Sequence, residues 1–128
     1  MPKRELTHPE LSPAPGFSRA VAAPAGTTVY FSGQVPTDAS GATLGTDIAT
    51  QADACLAKIA GYLTEAGATM DAVVMMTFYT TDISGMGKVR EVRERYLNAP
   101  FPAMTGVEVV ALANPDWLIE IDAVAVVE

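Results

Sequence analysis

Residues 117–128, WLIEIDAVAVVE, alternate with the period of a β-strand. Successive strand side chains point to opposite faces, so Ile119, Ile121, Ala123 and Ala125 share one side and Glu120, Asp122, Val124 and Val126 the other. The first set is a core face. The second starts with two carboxylates and turns apolar two residues later. It therefore predicts a sheet face that is polar at one end and needs apolar cover at the other.

Working outward, the turn ANPD (113–116) separates this strand from a second, MTGVEVVAL (104–112), and AVVMMTFYTTD (72–82) forms a third that is apolar on both faces. Two helices are interleaved with these strands. Thr46 or Asp47 caps the first, in which Ile48, Ala52, Leu56, Ile59 and Leu63 recur at helical spacing until Gly67 stops it. Asp82 or Ser84 opens the second, which carries Met86, Val89 and Tyr96 inward and ends before Pro100. Near the N-terminus, FSRAVAAPAGTTVYFSG (17–33) predicts two strands joined as a hairpin at Pro24–Gly26, followed by a loop over residues 33–47.

The order strand, strand, helix, strand, helix, strand, strand is an α+β pattern in one domain spanning 1–128, a mixed β-sheet with two helices on one face. Two helices cover only one face of a sheet. Exposing the other would leave an apolar patch, so the pattern predicts a closed homo-oligomer with the sheets facing inward.

Charge and composition narrow the function. Eight Lys and Arg against fifteen Asp and Glu give a net charge of -7, which disfavours nucleic acid as a partner. No apolar run reaches the roughly 18 residues of a membrane span, and MPKRELTHPE lacks the apolar core of a secretory signal, so a cytoplasmic protein with no membrane partner is expected. The lone Cys55 lies in a helical pattern and is expected to be a buried thiol. With His8 the only histidine, no metal site or serine-type triad is expected.

Chemistry is left to a few residues. A desolvated Glu120 beside a pocket would have a raised pKa suited to proton transfer, while the simpler reading is a strand end meeting solvent. Ser32 and Gly33 follow a strand in YFSGQVP, where a glycine opens a backbone N–H beside a hydroxyl, or simply makes a turn. Lys88, Arg90, Arg93 and Arg95 form a basic cluster; the i,i+4 pairs Arg90–Glu94 and Glu91–Arg95 read as a solvated helix face. Met104 in FPAMTGVEV, on periodicity alone, is core filler.

Taken in order, APGFSRAV (14–21), VYFSGQVP (29–36), FPAMTGVEV (101–109) and LIEIDAVAV (118–126) resemble the reactive-intermediate deaminase family, RidA or YjgF, over nearly the whole chain. Its C-terminal signature, Pro-Ala-Arg followed by a strand and an Ile-Glu-Ile triplet, is kept at Pro102, Ala103, Ile119, Glu120 and Ile121, with Met104 in place of the arginine. The resemblance implies a homotrimer of chorismate-mutase-like subunits with a small-molecule pocket at each subunit interface. Deaminase-type members hydrolyse enamines and imines to a 2-keto acid and ammonia without a cofactor. In them the arginine clamps the substrate carboxylate, a glutamate matching Glu120 orients or activates water, and an aromatic residue matching Phe17, usually tyrosine, closes the pocket. Ser32 and Gly33 match the pocket wall, and Arg90 stands where the family often has Asn.

Without the arginine, two charge-assisted hydrogen bonds are lost. A penalty of ~3 kcal/mol, about a hundredfold in affinity for 2-imino acids, is expected. Arg19, on the strand face of Phe17, and Arg90 are candidates to replace it, with Thr105 completing the pocket wall beside Met104. Two functions follow: hydrolysis of an enamine, imine or related electrophile with an altered substrate range, or a catalytically inactive trimer that binds a metabolite or a protein. The ribonuclease activity ascribed to some family members is disfavoured by the acidic charge and the lack of a basic groove with stacking aromatics.

Overall fold

The structure, a computed structural model, describes residues 2–128. Its elements in chain order are β1 (Arg4–Glu5), β2 (Val21–Ala22), β3 (Thr27–Gln34), α1 (Ile48–Glu65), β4 (Val73–Thr80), α2 (Met86–Arg93), β5 (Ala103–Glu108) and β6 (Ile119–Val127). The four long strands make one mixed sheet in the order β3-β6-β4-β5, in which only β4 and β5 run parallel.

α1 begins where its cap predicts. The Asp47 carboxylate accepts from the Thr50 amide at 3.0 Å, satisfying one of the donors a helix start leaves free. At the other end Gly67 takes φ +77°, and the Ala68 amide turns back onto Leu63 O at 2.8 Å. Between these ends Ile48, Ala52, Cys55, Leu56, Ile59 and Leu63 are buried and pack on the Ile119, Ile121, Ala123 and Ala125 face of β6. Each such aliphatic side chain contributes roughly 1.5–3 kcal/mol by leaving water. α2 adds Val89 and Val92 to the same core. Both helices lie on one side, as expected.

Gln51 is the polar member of this core and is fully buried. Its amide donates to Gly45 O (3.1 Å) and Asp116 O (2.9 Å), and its carbonyl accepts from the Leu118 amide at 2.7 Å. One side chain thus ties the long loop to the entry of β6 and helps set where that strand starts.

Three expectations need correction. The N-terminal strands do not form a hairpin: β2 pairs with β1, while β3 pairs with β6 from Thr27–Val127 to Gln34–Ile121. The turn expected at Pro24–Gly26 is a crossing instead, since a Cβ on Gly26 would lie 2.4 Å from Val127 O, so this glycine lets the chain run tightly past the end of β6. Pairing with β6 also sets Val29 and Phe31 against the core, which a local hairpin cannot do. The extra strand makes the order β-β-β-α-β-α-β-β. Second, α2 is shorter than expected. Asp82 and Ser84 form a 3-10 turn (Ile83–Gly85) ahead of it, and it ends at Arg93, although Tyr96 still turns inward and donates to Asp53 Oδ1 at 2.6 Å. Third, β5 stops at Glu108, before the apolar residues Val109 and Val110.

No helix among the described residues is long and apolar enough to cross a membrane. The other sheet face carries Tyr30, Met75 and Val107 exposed, with Thr77, Tyr79, Asp122 and Val124 half-buried between them. This is the uncovered face foreseen from the strand pattern.

Candidate functional site

Glu120 stands on that uncovered face. It pairs with Tyr79 of β4, and on its other side β3 bulges between Phe31 and Gln34. The bulge carries Gly33 to the carboxylate, with Ser32 exposed beside it. A Cβ on Gly33 would lie 1.9 Å from Glu120 Oε2, so only glycine allows this approach. One register step further, the Tyr79 hydroxyl donates to Asp122 Oδ2 at 3.0 Å, and that bond to a carboxylate raises the phenol's pKa above its ordinary value. Ser32 O accepts from the Gln34 amide side chain at 2.9 Å. Thr105 is on the same face, opposite Thr77 on the outer strand. The result is a half-buried residue whose backbone is fixed by strand register and whose carboxylate lies against the Gly33 backbone, a setting suited to holding a water molecule.

Met104 lies elsewhere. Its register partner is Met76, whose side chain is in the core, so Met104 turns to the helix side and packs against the core cluster. Phe17 runs past the free edge of β5 beside it, held by the Ser18 amide bonding to Pro102 O at 3.1 Å. Just before Phe17, Gly16 has φ +73°, and a Cβ there would meet guanidinium nitrogens of Arg93 at 3.5 Å and Arg90 at 3.7 Å. Arg90 also pairs with Glu94 at 3.3 Å, as the helix spacing suggests. Arg93 stands over the Phe78 ring at 5.8 Å; burial first, and then the neighbouring Arg90 charge, lower its pKa.

The eight candidate residues therefore fall into groups. Glu120, Gly33 and Thr105 belong to the open face with Ser32 in the bulge beside them, whereas Met104 packs on the helix side, Arg90 reaches Gly16, and the backbone at Phe17 passes the β5 edge. β4 lies between β6 and β5, a gap of about 10 Å at ordinary strand spacing. One copy of the chain does not join them into one pocket. Arg19 belongs with neither group: its Nε donates to Ser12 O at 3.3 Å in a crevice of about 600 Å³ lined by the N-terminal segment, including exposed His8 and Leu11. Cys55 is fully buried and burial pushes its thiol up to about 12, so it is structural. The sequence reading placed Arg93 in a solvated basic helix face, whereas the structure turns it inward over Phe78. The signal was its i,i+4 relation to buried Val89, which continues the inward stripe of α2.

Comparison with known proteins covers almost the whole chain. The family model described as endoribonuclease L-PSP matches residues 7–127. A RutC family protein of Pyrococcus abyssi is 33% identical over 123 residues, 95% of this chain and 96% of that protein. The 2-iminobutanoate/2-iminopropanoate deaminase of Salmonella typhimurium is 33% identical over 104 residues, 79% and 80% of the two chains. Among solved structures, a Rid-family protein of unknown function from Yersinia pestis superposes with a TM-score of 0.90 at 32% identity, covering 99% of this chain and 100% of that one.

Proposed function

The chain belongs to the endoribonuclease L-PSP family, the family of the Rid and RutC proteins it resembles, and on that premise we propose that it hydrolyses a small imine or enamine. The observation that carries this reading is the Glu120 carboxylate, set by strand register against the Gly33 backbone on a face with no cover of its own. Glu120 takes a proton from water as the water oxygen adds to the imine carbon. The resulting carbinolamine regains a proton on nitrogen and expels ammonia as the carbonyl forms. An enamine enters the same sequence after protonation at carbon. Water is the only co-reactant, so the reaction calls for no cofactor.

Assembly completes the pocket. A homotrimer burying Tyr30, Met75 and Val107 would bring Glu120, Ser32 and Gly33 of one copy against Phe17, Met104 and Arg90 of the next, which a single copy holds apart. Native mass measurement is expected to give three chains, and a monomer would remove the pocket from the proposal.

Met104 sets the substrate range. A thioether cannot replace the paired hydrogen bonds of a guanidinium, so short 2-imino acids are expected to be poor substrates by about a hundredfold. The reaction is tested by generating imines with an amino-acid oxidase and trapping the survivors with semicarbazide. Wild-type protein is expected to compete with trapping, weakly for short 2-imino acids, and to lose that competition in Glu120→Gln. A wild type with no effect on any imine would leave the alternative, a non-catalytic binding trimer.

A further inference from the structure

Among the described residues, two buried side-chain polar atoms lack a hydrogen-bond partner, Ser18 Oγ and Arg93 Nε. They belong to one corner. Ser18 is bridged to Ala103 at the β5 edge, and Gly16, two residues earlier, lies beneath the guanidinium nitrogens of Arg93 and Arg90. Buried polar groups are nearly always paired, and each exception asks for an explanation.

Charge sharpens the point. The chain has only eight Lys and Arg in a net charge of -7, yet two of them converge within 3.8 Å of a single point above Gly16. Arg90 is balanced by Glu94. Arg93 makes no ion pair among the described residues and its one aromatic contact is Phe78. Glu94 offsets part of the repulsion between the two guanidinium groups, but it is paired with Arg90 and leaves the Arg93 Nε without a hydrogen-bond partner. Gly16 presents bare backbone to that space in a left-handed conformation that favours glycine.

We propose that Arg93, assisted by Arg90, is an anion-binding element that receives a carboxylate of the substrate in place of the clamp missing at Met104. The inference rests on the imine-hydrolase reading for the identity of its ligand. It also defines the substrate class further. Phe78, over which Arg93 stands, pairs with Gly106, two positions beyond Met104 and about 7 Å along the strand. Because Arg93 and Arg90 stand on α2 rather than on β5, the carboxylate they receive is taken to stand off the imine carbon rather than adjacent to it.

Binding rather than turnover tests this. The probe is 4-oxopentanoate, whose ketone stands in for the imine carbon and whose carboxylate lies two methylenes away, measured beside its neutral amide by calorimetry or ligand-observed NMR. Wild-type protein is expected to prefer the acid by about tenfold or more. Arg93→Gln is expected to abolish the preference while leaving amide binding in place, Arg93→Lys to keep part of it, and Arg90→Gln to reduce it about threefold. Should Arg93→Gln fail to fold, as judged by its melting curve, the Lys and Arg90 variants carry the test. No preference in wild type, or one that survives Arg93→Gln, overturns the inference. A preference that depends on Arg93 in a protein that hydrolyses no imine upholds it and removes only the proposed reaction.

Discussion

The Glu120 corner and the Arg93 corner are made in different ways. Strand pairing places Glu120: its neighbours Tyr79 and Gly33 follow from β4–β6 and β3–β6 register, and a slip of one residue would turn the carboxylate into the core. Long side chains from α2 and a glycine in a loop make the other corner, and none of them is tied to a ladder. A group held by backbone register is hard to move without refolding the sheet. A group on a flexible stem can be supplied from another element. The contrast separates a carboxylate at 120 set by backbone register from two cations on α2 that reach their position through long side chains.

The largest effect tests the fixed corner. Glu120→Gln is expected to lower imine hydrolysis by about 10²–10³-fold with an unchanged melting temperature, since general acid–base groups contribute on that scale. Unchanged competition with semicarbazide would mean that register places nothing of catalytic use there. Next, Met104→Arg is expected to raise kcat/KM on short 2-imino acids by up to about a hundredfold by supplying paired hydrogen bonds from β5. An unaltered rate on those substrates would break the division between a fixed and an exchangeable corner.

Gln51→Ala reaches the fixed corner through its support. It strips partners from Gly45 O, Asp116 O and the Leu118 amide at the start of β6, and about 2–3 kcal/mol of stability should be lost in urea unfolding. Gly33→Ala is expected to be milder, because a strand bulge can shift: the Cβ pushes the Glu120 carboxylate aside, and activity falls about tenfold with most stability kept. The smallest effect is a control outside both corners. With burial holding the Cys55 thiol near 12, the thiolate is scarce at pH 8, so a disulfide reagent should leave native protein unlabelled and react only after unfolding. Rapid labelling of the native state would contradict the buried core around α1.

Much of the fold was legible because its signals are local. The cap at Asp47, the stripe from Ile48 to Leu63 and the stop at Gly67 all act within a few residues, and the α1 they predict is the α1 observed. The two-faced pattern of β6 was legible for the same reason, down to the burial of Ile119 and Ile121 and the half-exposure of Glu120. The N-terminal hairpin failed because alternation says that a segment is extended, not which strand it joins. For β3 the winning partner was β6, where Val29 and Phe31 reach the helices. At the site, periodicity rightly gave Met104 to the core side but could not show that Glu120 lies on the opposite face, because that depends on the β4–β5 register.

By itself the sequence determined α1, the two-faced β6, the α+β class, the uncovered sheet face and the likeness to Rid proteins, since each rests on short-range chemistry or on motifs read in order. Only the tertiary structure decided which strands pair, which candidates share a face, and that Arg93 rather than Arg19 stands with Arg90 over Gly16. The physical reason is that register and convergence are set by contacts between residues far apart in the chain, each chosen by how well a whole face buries, and no periodicity within one segment records that choice.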